Sequence, residues 1–98
     1  MLKAIIDGVA QTYTSEEVPL QQFNLIRARI YSAAGSTATV VLEGAASLAG
    51  APWFTLYTVT NPTATGDYVN VPMVGRLRAR IPTWTAGTIH VSIEGKRL

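Results

Sequence analysis

The sequence contains no cysteine and few charged residues. Without cysteine, neither a disulfide nor a thiolate metal site can form. Charged residues make up 14% of the 98 residues and hydrophobic residues 48%, whereas a typical soluble domain is about 25% charged. This balance excludes an intrinsically disordered chain. It also predicts that part of the surface is covered in an assembly.

Long apolar runs and a strong net charge are also missing. No run approaches the roughly 18 apolar residues of a membrane span, and the apolar part of residues 1–8 is too short for a signal peptide. We therefore expect no membrane segment, and synthesis in the cytoplasm of a host cell. The net charge of +2 argues against a dedicated nucleic-acid binder. The length predicts one domain, residues 1–98.

Groups with catalytic chemistry are scattered along the chain. His90 is the single histidine, and the sequence places no paired nucleophile beside it. The acidic residues lie mostly in predicted loops or at strand ends, without the clustering that a metal site needs. A glycine-rich phosphate loop is absent too. The sequence therefore predicts a protein that is not an enzyme and that binds no metal or cofactor.

A repeated segment is the most informative feature. Residues 27–44 and 78–95 align without a gap at an offset of 51 and share eight identities in 18 positions. Arg-Ala-Arg-Ile opens both copies, and Glu-Gly closes both. Internal repeats of this kind report on architecture rather than chemistry. We therefore expect the two copies to be equivalent structural units.

Both copies alternate apolar and polar residues with the period of a β-strand. In the second copy Leu77, Ala79 and Ile81 alternate with arginines, and the same alternation continues after a turn. A strand sends successive side chains to opposite faces, so each strand has one apolar face. Gly35 and Gly87 between the strands are typical of hairpin loops. The sequence therefore predicts two amphipathic hairpins that pack against each other.

Short strands account for the rest of the chain. Residues 53–60 are rich in aromatic and β-branched residues, and residues 68–74 contain Pro72, which indicates an edge strand or a bulge. Residues 1–22 could form an N-terminal arm, and its apolar stretch from Leu2 to Ile6 could add a strand to a neighbouring copy. With seven or eight strands and no convincing helix, we predict an all-β antiparallel β-sandwich of jelly-roll or immunoglobulin-like topology, with two pseudo-repeated hairpins.

Two rows of arginines are the strongest candidates for an interface. One row is Arg27 and Arg29, and the other is Arg76, Arg78 and Arg80. Because the residues of each row are two apart, each row projects from one face of a sheet. Guanidinium groups bind carboxylates bidentately and are common in protein interfaces. An equally weighted alternative is pairing across strands with the acidic residues Glu43, Glu94 and Asp67.

The aromatic residues leave two interpretations open. Trp84, in the predicted turn of the second hairpin, is either an exposed interface anchor or a cover over one end of the core. We assign Trp53 to the core. Trp53, Tyr57 and Trp84 could also stack on sugar rings, so a carbohydrate-binding module or tail-associated adhesin is an alternative function. A subunit of a cellular β-rich assembly is a third.

One combination of segments resembles a known family. The segments are Val40-Val41-Leu42-Glu43-Gly44, then Trp53 and Leu56, and later Arg78-Ala79-Arg80-Ile81 with a glycine-turned final strand. They resemble the small β-sandwich virion proteins of tailed bacteriophages, of the capsid cement (decoration) or tail-accessory type. The resemblance implies a structural protein of the virion, a homotrimer that binds the major capsid protein or another virion protein. Unlike many such proteins, this chain has Gly44-Ala45 and Ala49-Gly50 before the tryptophan, without an acidic loop residue for a metal.

Overall fold

The computed structural model describes residues 1–97, which form nine β-strands joined by loops, with no helix in that range. It therefore holds no helix long and apolar enough to cross a membrane over these residues. The all-β prediction is confirmed. The strands are β1 (Leu2–Val9), β2 (Tyr13–Thr14), β3 (Val18–Pro19), β4 (Leu25–Tyr31), β5 (Thr37–Ala45), β6 (Phe54–Thr60), β7 (Asp67–Val71), β8 (Arg76–Ala86) and β9 (Ile89–Lys96).

Two antiparallel sheets pack face to face. Sheet A has the strand order β1-β9-β4-β7, and sheet B has the order β2-β8-β5-β6, with β3 also paired to β8. When β2 and β3 are counted as one strand, the orders become 1-8-3-6 and 2-7-4-5, which is the interleaved arrangement of an eight-stranded jelly roll. The immunoglobulin arrangement places the strands differently and does not fit. The sandwich prediction is confirmed, in its jelly-roll form.

The core lies between the sheets and consists of alternate residues of their strands. On β8, Leu77, Ala79 and Ile81 are fully buried, whereas the arginines between them point outward. The predicted alternation is therefore correct on this strand. Full burial of such an aliphatic side chain contributes about 1.5–3 kcal/mol. The largest fully buried apolar side chains are Ile6, Leu20, Ile30, Val40, Leu42, Leu77, Ile81, Ile89, Val91 and Ile93.

The repeated segments are β-arches, and the prediction that they form hairpins is wrong. In the first copy β4 lies in sheet A and β5 in sheet B, and in the second copy β8 lies in sheet B and β9 in sheet A. The backbone of each copy pairs with the other copy, β4 with β9 and β5 with β8. A hairpin and an arch bury the same side of each strand, so alternation alone does not distinguish them.

Residues 1–22, which we expected as a possible arm, are part of the sandwich. β1 pairs with β9 of the same chain, and a register shift after Ala4 leaves both Ile5 and Ile6 buried. β2 and β3 pair with β8, and Val18 and Leu20 join the core. The stretch that we expected to extend onto a neighbour is instead used within the chain.

The sheet edges carry features that discourage pairing with another chain. β1 has two register shifts, and β6 faces a register shift between Leu42 and Glu43 of β5. β7 has five residues and is followed by Pro72, so its predicted edge position is confirmed. Bulges, short strands and proline are common protections of exposed edges. The outer faces and loops are therefore better candidates than the edges for contacts with other proteins.

Candidate functional site

The two arginine rows lie on opposite outer faces of the sandwich. Arg27 and Arg29 belong to β4 and point out from sheet A. The other row, Arg76, Arg78 and Arg80, belongs to β8 and points out from sheet B. A single copy of the chain therefore presents two separate basic surfaces rather than one.

On sheet B the arginines surround a buried carboxylate. Glu43 Oε1 lies 2.8 Å from Arg78 Nε and 3.5 Å from Arg80 Nε. The guanidinium carbon of Arg78 lies 4.2 Å from the centre of the Trp53 ring. We call Arg78, Arg80, Glu43 and Trp53 the closed cluster. Only 9% of the Glu43 side chain and 24% of the Arg78 side chain are exposed, so this ion pair is largely shielded from water.

Arg76 holds a neighbouring loop in place. Its Nε donates to the carbonyl of Ala46 at 2.8 Å, and its Nη2 donates to the carbonyls of Leu48 and Ala51 at 3.3 and 3.2 Å. Its Nη1 lies 2.7 Å from the Glu17 carboxylate. Because these groups occupy its donors, Arg76 orders the loop of residues 46–52 within the chain.

On sheet A the corresponding arginines are more open. Arg27 Nη2 lies 4.0 Å from Glu94 Oε2, and 53% and 40% of the two side chains are exposed. The Tyr68 ring, itself 59% exposed, has its centre 5.4 Å from the guanidinium carbon of Arg27 and 5.6 Å from that of Arg29. We call Arg27, Arg29, Tyr68 and Glu94 the open cluster. The distance between its charged atoms is longer than in the closed cluster, and its side chains are more exposed to solvent.

Arg29 is anchored but not fully hydrogen-bonded. Its guanidinium carbon lies 4.0 Å from the centre of the Tyr31 ring, and its Nη2 donates to the carbonyls of Ala64 and Thr65, each at 3.3 Å. Its Nε is buried, and none of residues 1–97 supplies an acceptor for it. Beside it lies a shallow cavity of about 240 Å³ that is lined by the open cluster together with Leu2, Ala28 and Ser92.

The two clusters are related by the sequence repeat. Arg27 faces Glu94 in the ladder between β4 and β9, and Arg78 faces Glu43 in the ladder between β8 and β5. At the offset of 51, Arg27 corresponds to Arg78 and Glu43 to Glu94. The pairing of β4 with β9 in sheet A therefore has the same register as the pairing of β8 with β5 in sheet B. Antiparallel pairing of one copy with the other is what brings each arginine opposite a glutamate.

Pairing across strands, the alternative that we weighed for the arginines, is observed for Glu43 and Glu94. Asp67 does not pair with an arginine. It accepts a hydrogen bond from the Tyr57 hydroxyl at 3.2 Å, and this bond and the nearby negative charge raise the pKa of Tyr57 from its usual 10.0. An interface role for the arginines stays a prediction.

Both tryptophans lie elsewhere than predicted. Trp84 is part of β8 rather than a turn, packs against the core, and donates from Nε1 to the carbonyl of Gly87 at 2.8 Å. It therefore covers the core, as one of its two interpretations stated. Trp53 is not a core residue: it lies outside the buried cluster and packs against the guanidinium groups of Arg76 and Arg78. Carbohydrate binding stays a prediction. The rings of Trp53 and Trp84 already pack against other groups of the chain, so fewer aromatic rings are free to stack on a sugar.

Sequence reasoning missed the neighbour of His90. Asp7 faces His90 in the ladder between β1 and β9, with Oδ1 3.6 Å from Nδ1. The imidazole also stacks on the Tyr31 ring, with centroids 4.8 Å apart. Asp7 and His90 are far apart in sequence, so only the strand pairing brings them together. Within residues 1–97, no three histidine and carboxylate side chains come close enough to hold a metal ion.

One end of the sandwich exposes large apolar side chains. Leu48, Phe54 and Met73 are 76%, 50% and 82% exposed. They belong to two adjoining segments, because the Gly75 amide donates to the carbonyl of Ala45 at 3.0 Å and joins the loop before β8 to the end of β5. We call Leu48, Phe54 and Met73 the apolar end. The sequence contained no signal for it, because scattered apolar residues in loops are ordinary.

Comparisons with known proteins show similarity at the level of the fold. No protein-family model matches the chain, and no curated protein matches its sequence. Among solved structures, the fold is similar to that of the SPBc2 prophage-derived protein YomS, with a TM-score of 0.73 over 95% of this chain and 89% of that chain. The two sequences are 8% identical. The two proteins therefore share a fold over nearly the whole length of this chain.

Proposed function

We propose that the chain is a structural protein of a tailed-phage virion, a capsid cement or decoration protein that binds and stabilises an assembled shell. In this role it acts by binding rather than by catalysis and uses no cofactor. The fold shared with a prophage-derived protein supports a phage origin. The repeat and the segments around Glu43 and Arg78, which resemble small virion proteins, support the same role.

The apolar end is the observation that carries this proposal. Leu48 and Met73 each expose more than three quarters of their surface to solvent, and exposed apolar groups of this kind mark sites of contact with other proteins. Arg76 ties the loop that carries Leu48 to the sandwich through three carbonyl groups. A loop that is already ordered loses little conformational entropy when a partner binds.

The partner that fits is an assembled protein surface rather than a single small ligand. A jelly roll has two long faces and two ends, so several copies can pack side by side while their ends contact a shell. Closed rotational symmetry, here a homotrimer, satisfies such contacts without open-ended growth. We place the major capsid protein, or another virion protein, against the apolar end.

Binding to shells tests this proposal directly. Shells of the phage that encodes this chain are assembled without it, mixed with the purified protein, and sedimented. We expect the wild-type protein to sediment with the shells and the double variant Leu48→Ser, Met73→Ser to stay in solution. The control is Tyr13→Ser, which removes a partly exposed apolar side chain from β2 on another part of the molecule. A wild-type protein that stays in solution at saturating concentration refutes the proposal.

A further inference from the structure

We infer that the open cluster on sheet A binds a carboxylate group carried by an acidic segment of a partner protein. This site is separate from the apolar end on which the proposed function rests. It is also independent of the identity of the partner, because the chemistry requires only an Asp or Glu side chain on an accessible segment.

The closed cluster serves as an internal reference for the open one. Both have an arginine opposite a glutamate in an antiparallel ladder, and both place an aromatic ring beside that arginine. In the closed cluster the nearest charged atoms of arginine and glutamate are 2.8 Å apart, whereas in the open cluster they are 4.0 Å apart. On sheet B the arginine therefore has a close carboxylate partner within the chain. On sheet A the corresponding arginine has only a distant one.

The charges around the open cluster favour an anion. Arg27, Arg29 and Lys96 lie on this face. Glu94 is 4.0 Å from Arg27 and 3.8 Å from Lys96, whereas Asp7, another carboxylate of this face, lies beside His90. One carboxylate shared by two cations leaves positive charge uncompensated. A half-exposed guanidinium group can donate two parallel hydrogen bonds to a second carboxylate.

The cavity has the size and lining that an acidic side chain needs. Its volume of about 240 Å³ can hold a short aliphatic stem and a carboxylate, and Leu2 lines it as an exposed apolar wall. Arg29 is held in place by Tyr31 and by two backbone carbonyls. The centre of the Tyr68 ring lies 5.4 Å from the guanidinium carbon of Arg27 and 5.6 Å from that of Arg29. The site is therefore ordered before a ligand arrives, which favours affinity.

Nucleic acid fits this surface less well than an acidic protein segment. A phosphate backbone carries a charge at every nucleotide and is bound by extended basic tracks. Here the carboxylate of Glu94 lies within the cavity lining and would face the neighbouring phosphates. An acidic segment with spaced carboxylates can place one of them between the arginines and keep the others away from Glu94.

Arginine side-chain NMR provides the test, because each Nε–H group gives its own signal. The full chain is titrated with an acetylated and amidated peptide of alternating Glu and Ala residues, and with the same peptide carrying Gln for Glu. We expect saturable shifts at Arg27 and Arg29 with the Glu peptide alone, and no shifts at Arg78 and Arg80. We expect Arg27→Ser to weaken binding of the Glu peptide at least tenfold.

Arg80→Ser is the matched control. Arg80 corresponds to Arg29 in the repeat, lies on the opposite face, and is 39% exposed, so its loss changes the net charge equally. We expect this variant to bind the Glu peptide as the wild type does. Circular dichroism confirms that both variants are folded. The inference is overturned if the two substitutions weaken binding equally, or if the shifts are absent or equal on both faces. It is also overturned if a single-stranded oligonucleotide of the same charge binds as tightly as the Glu peptide.

Discussion

Arg78 and Glu43 face each other on β8 and β5, and their side chains meet at 2.8 Å, with the Trp53 ring against the guanidinium group. The repeat places Arg27 and Glu94 in the same relation on sheet A, where the charged atoms are 4.0 Å apart and solvent reaches both. Two pairs with the same residue types and the same register therefore differ mainly in burial. Burial decides what each pair contributes to the molecule.

We expect Glu43→Gln to destabilise the protein far more than Glu94→Gln. Loss of the Glu43 charge leaves Arg78 and Arg80 close together without a buried partner, and breaking such a buried pair reduces the free energy of unfolding by about 3 kcal/mol. The exposed pair contributes less than about 1 kcal/mol. Urea unfolding followed by circular dichroism measures both values. Equal effects of the two substitutions would contradict the assigned difference in burial.

We expect Gly95→Ala to destabilise the sandwich because no room exists for a methyl group. A Cβ atom at this position would lie 2.9 Å from the Phe23 ring, and overfilling a packed site of this kind costs about 1–3 kcal/mol. Thermal unfolding measures the loss. The double variant Gly95→Ala, Phe23→Leu should recover part of it, since the smaller side chain can move away. An unchanged single variant would show that Phe23 is loosely held.

Gly44 is the equivalent position in the first copy and predicts a parallel result. Its Cβ would lie 2.9 Å from Val74 Cγ1 and 3.1 Å from Leu56 Cδ1. Both neighbours are aliphatic side chains rather than a ring, so they can yield more easily than Phe23. We therefore expect Gly44→Ala to lower the unfolding temperature less than Gly95→Ala. The reverse order would contradict this packing argument.

The hydroxyl of Tyr57 should titrate above the usual range. Its hydrogen bond to Asp67 and the negative charge of that carboxylate raise its pKa above 10.0, since both favour the neutral phenol. A pKa that is higher in the folded state contributes stability below pH 10, and this contribution is lost as the pH rises through the folded value. We expect Asp67→Asn to lower the pKa of Tyr57, as measured by NMR titration of the ring carbons. An unchanged pKa in this variant would show that the hydrogen bond is absent in solution.

The chain should form a homo-oligomer that does not depend on the apolar end. Only 14% of the residues are charged, which favours surface that is covered in an assembly, and copies packed side by side leave their ends free for the shell. We expect multi-angle light scattering to give the mass of a trimer for the wild type and for Leu48→Ser, Met73→Ser. A lower mass for this variant would place the apolar end between the copies instead. A monomer mass for the wild type at micromolar concentration would contradict the prediction.

Most of the fold could be predicted from local patterns. The alternation of Leu77, Ala79 and Ile81 with arginines predicted which side of β8 is buried, because side-chain direction in a strand depends only on sequence parity. Pro72 predicted an edge strand or a bulge, because proline lacks the N–H group that a central strand needs. The pairing of the repeats could not be predicted in this way. Whether β4 pairs with β5 or with β9 depends on contacts between distant segments, and both choices bury the same residues.

The candidate site was predicted in part. The arginine rows were visible from their spacing, and their pairing with Glu43 and Glu94 was one of two alternatives. The repeat held a further signal, since each copy places a glutamate 16 residues after its first arginine. Antiparallel pairing of the copies then sets each arginine opposite the glutamate of the other copy. Tyr68 and Asp7 were missed, because they reach Arg27 and His90 through strand pairings that no local pattern encodes.

The sequence by itself determined the long strands, the buried sides of β4, β8 and β9, and the equivalence of the two repeats, because these follow from parity and identity along the chain. The tertiary structure decided which sheet each strand joins, and with it the exposure of each arginine. Arg27 and Arg78 are the same residue in the same repeated motif. Trp53 packs against the guanidinium group of Arg78, whereas Arg27 lies beside an open cavity that Tyr68 helps to line. Burial depends on what the rest of the chain places over a residue, and this is a property of the assembled sandwich alone.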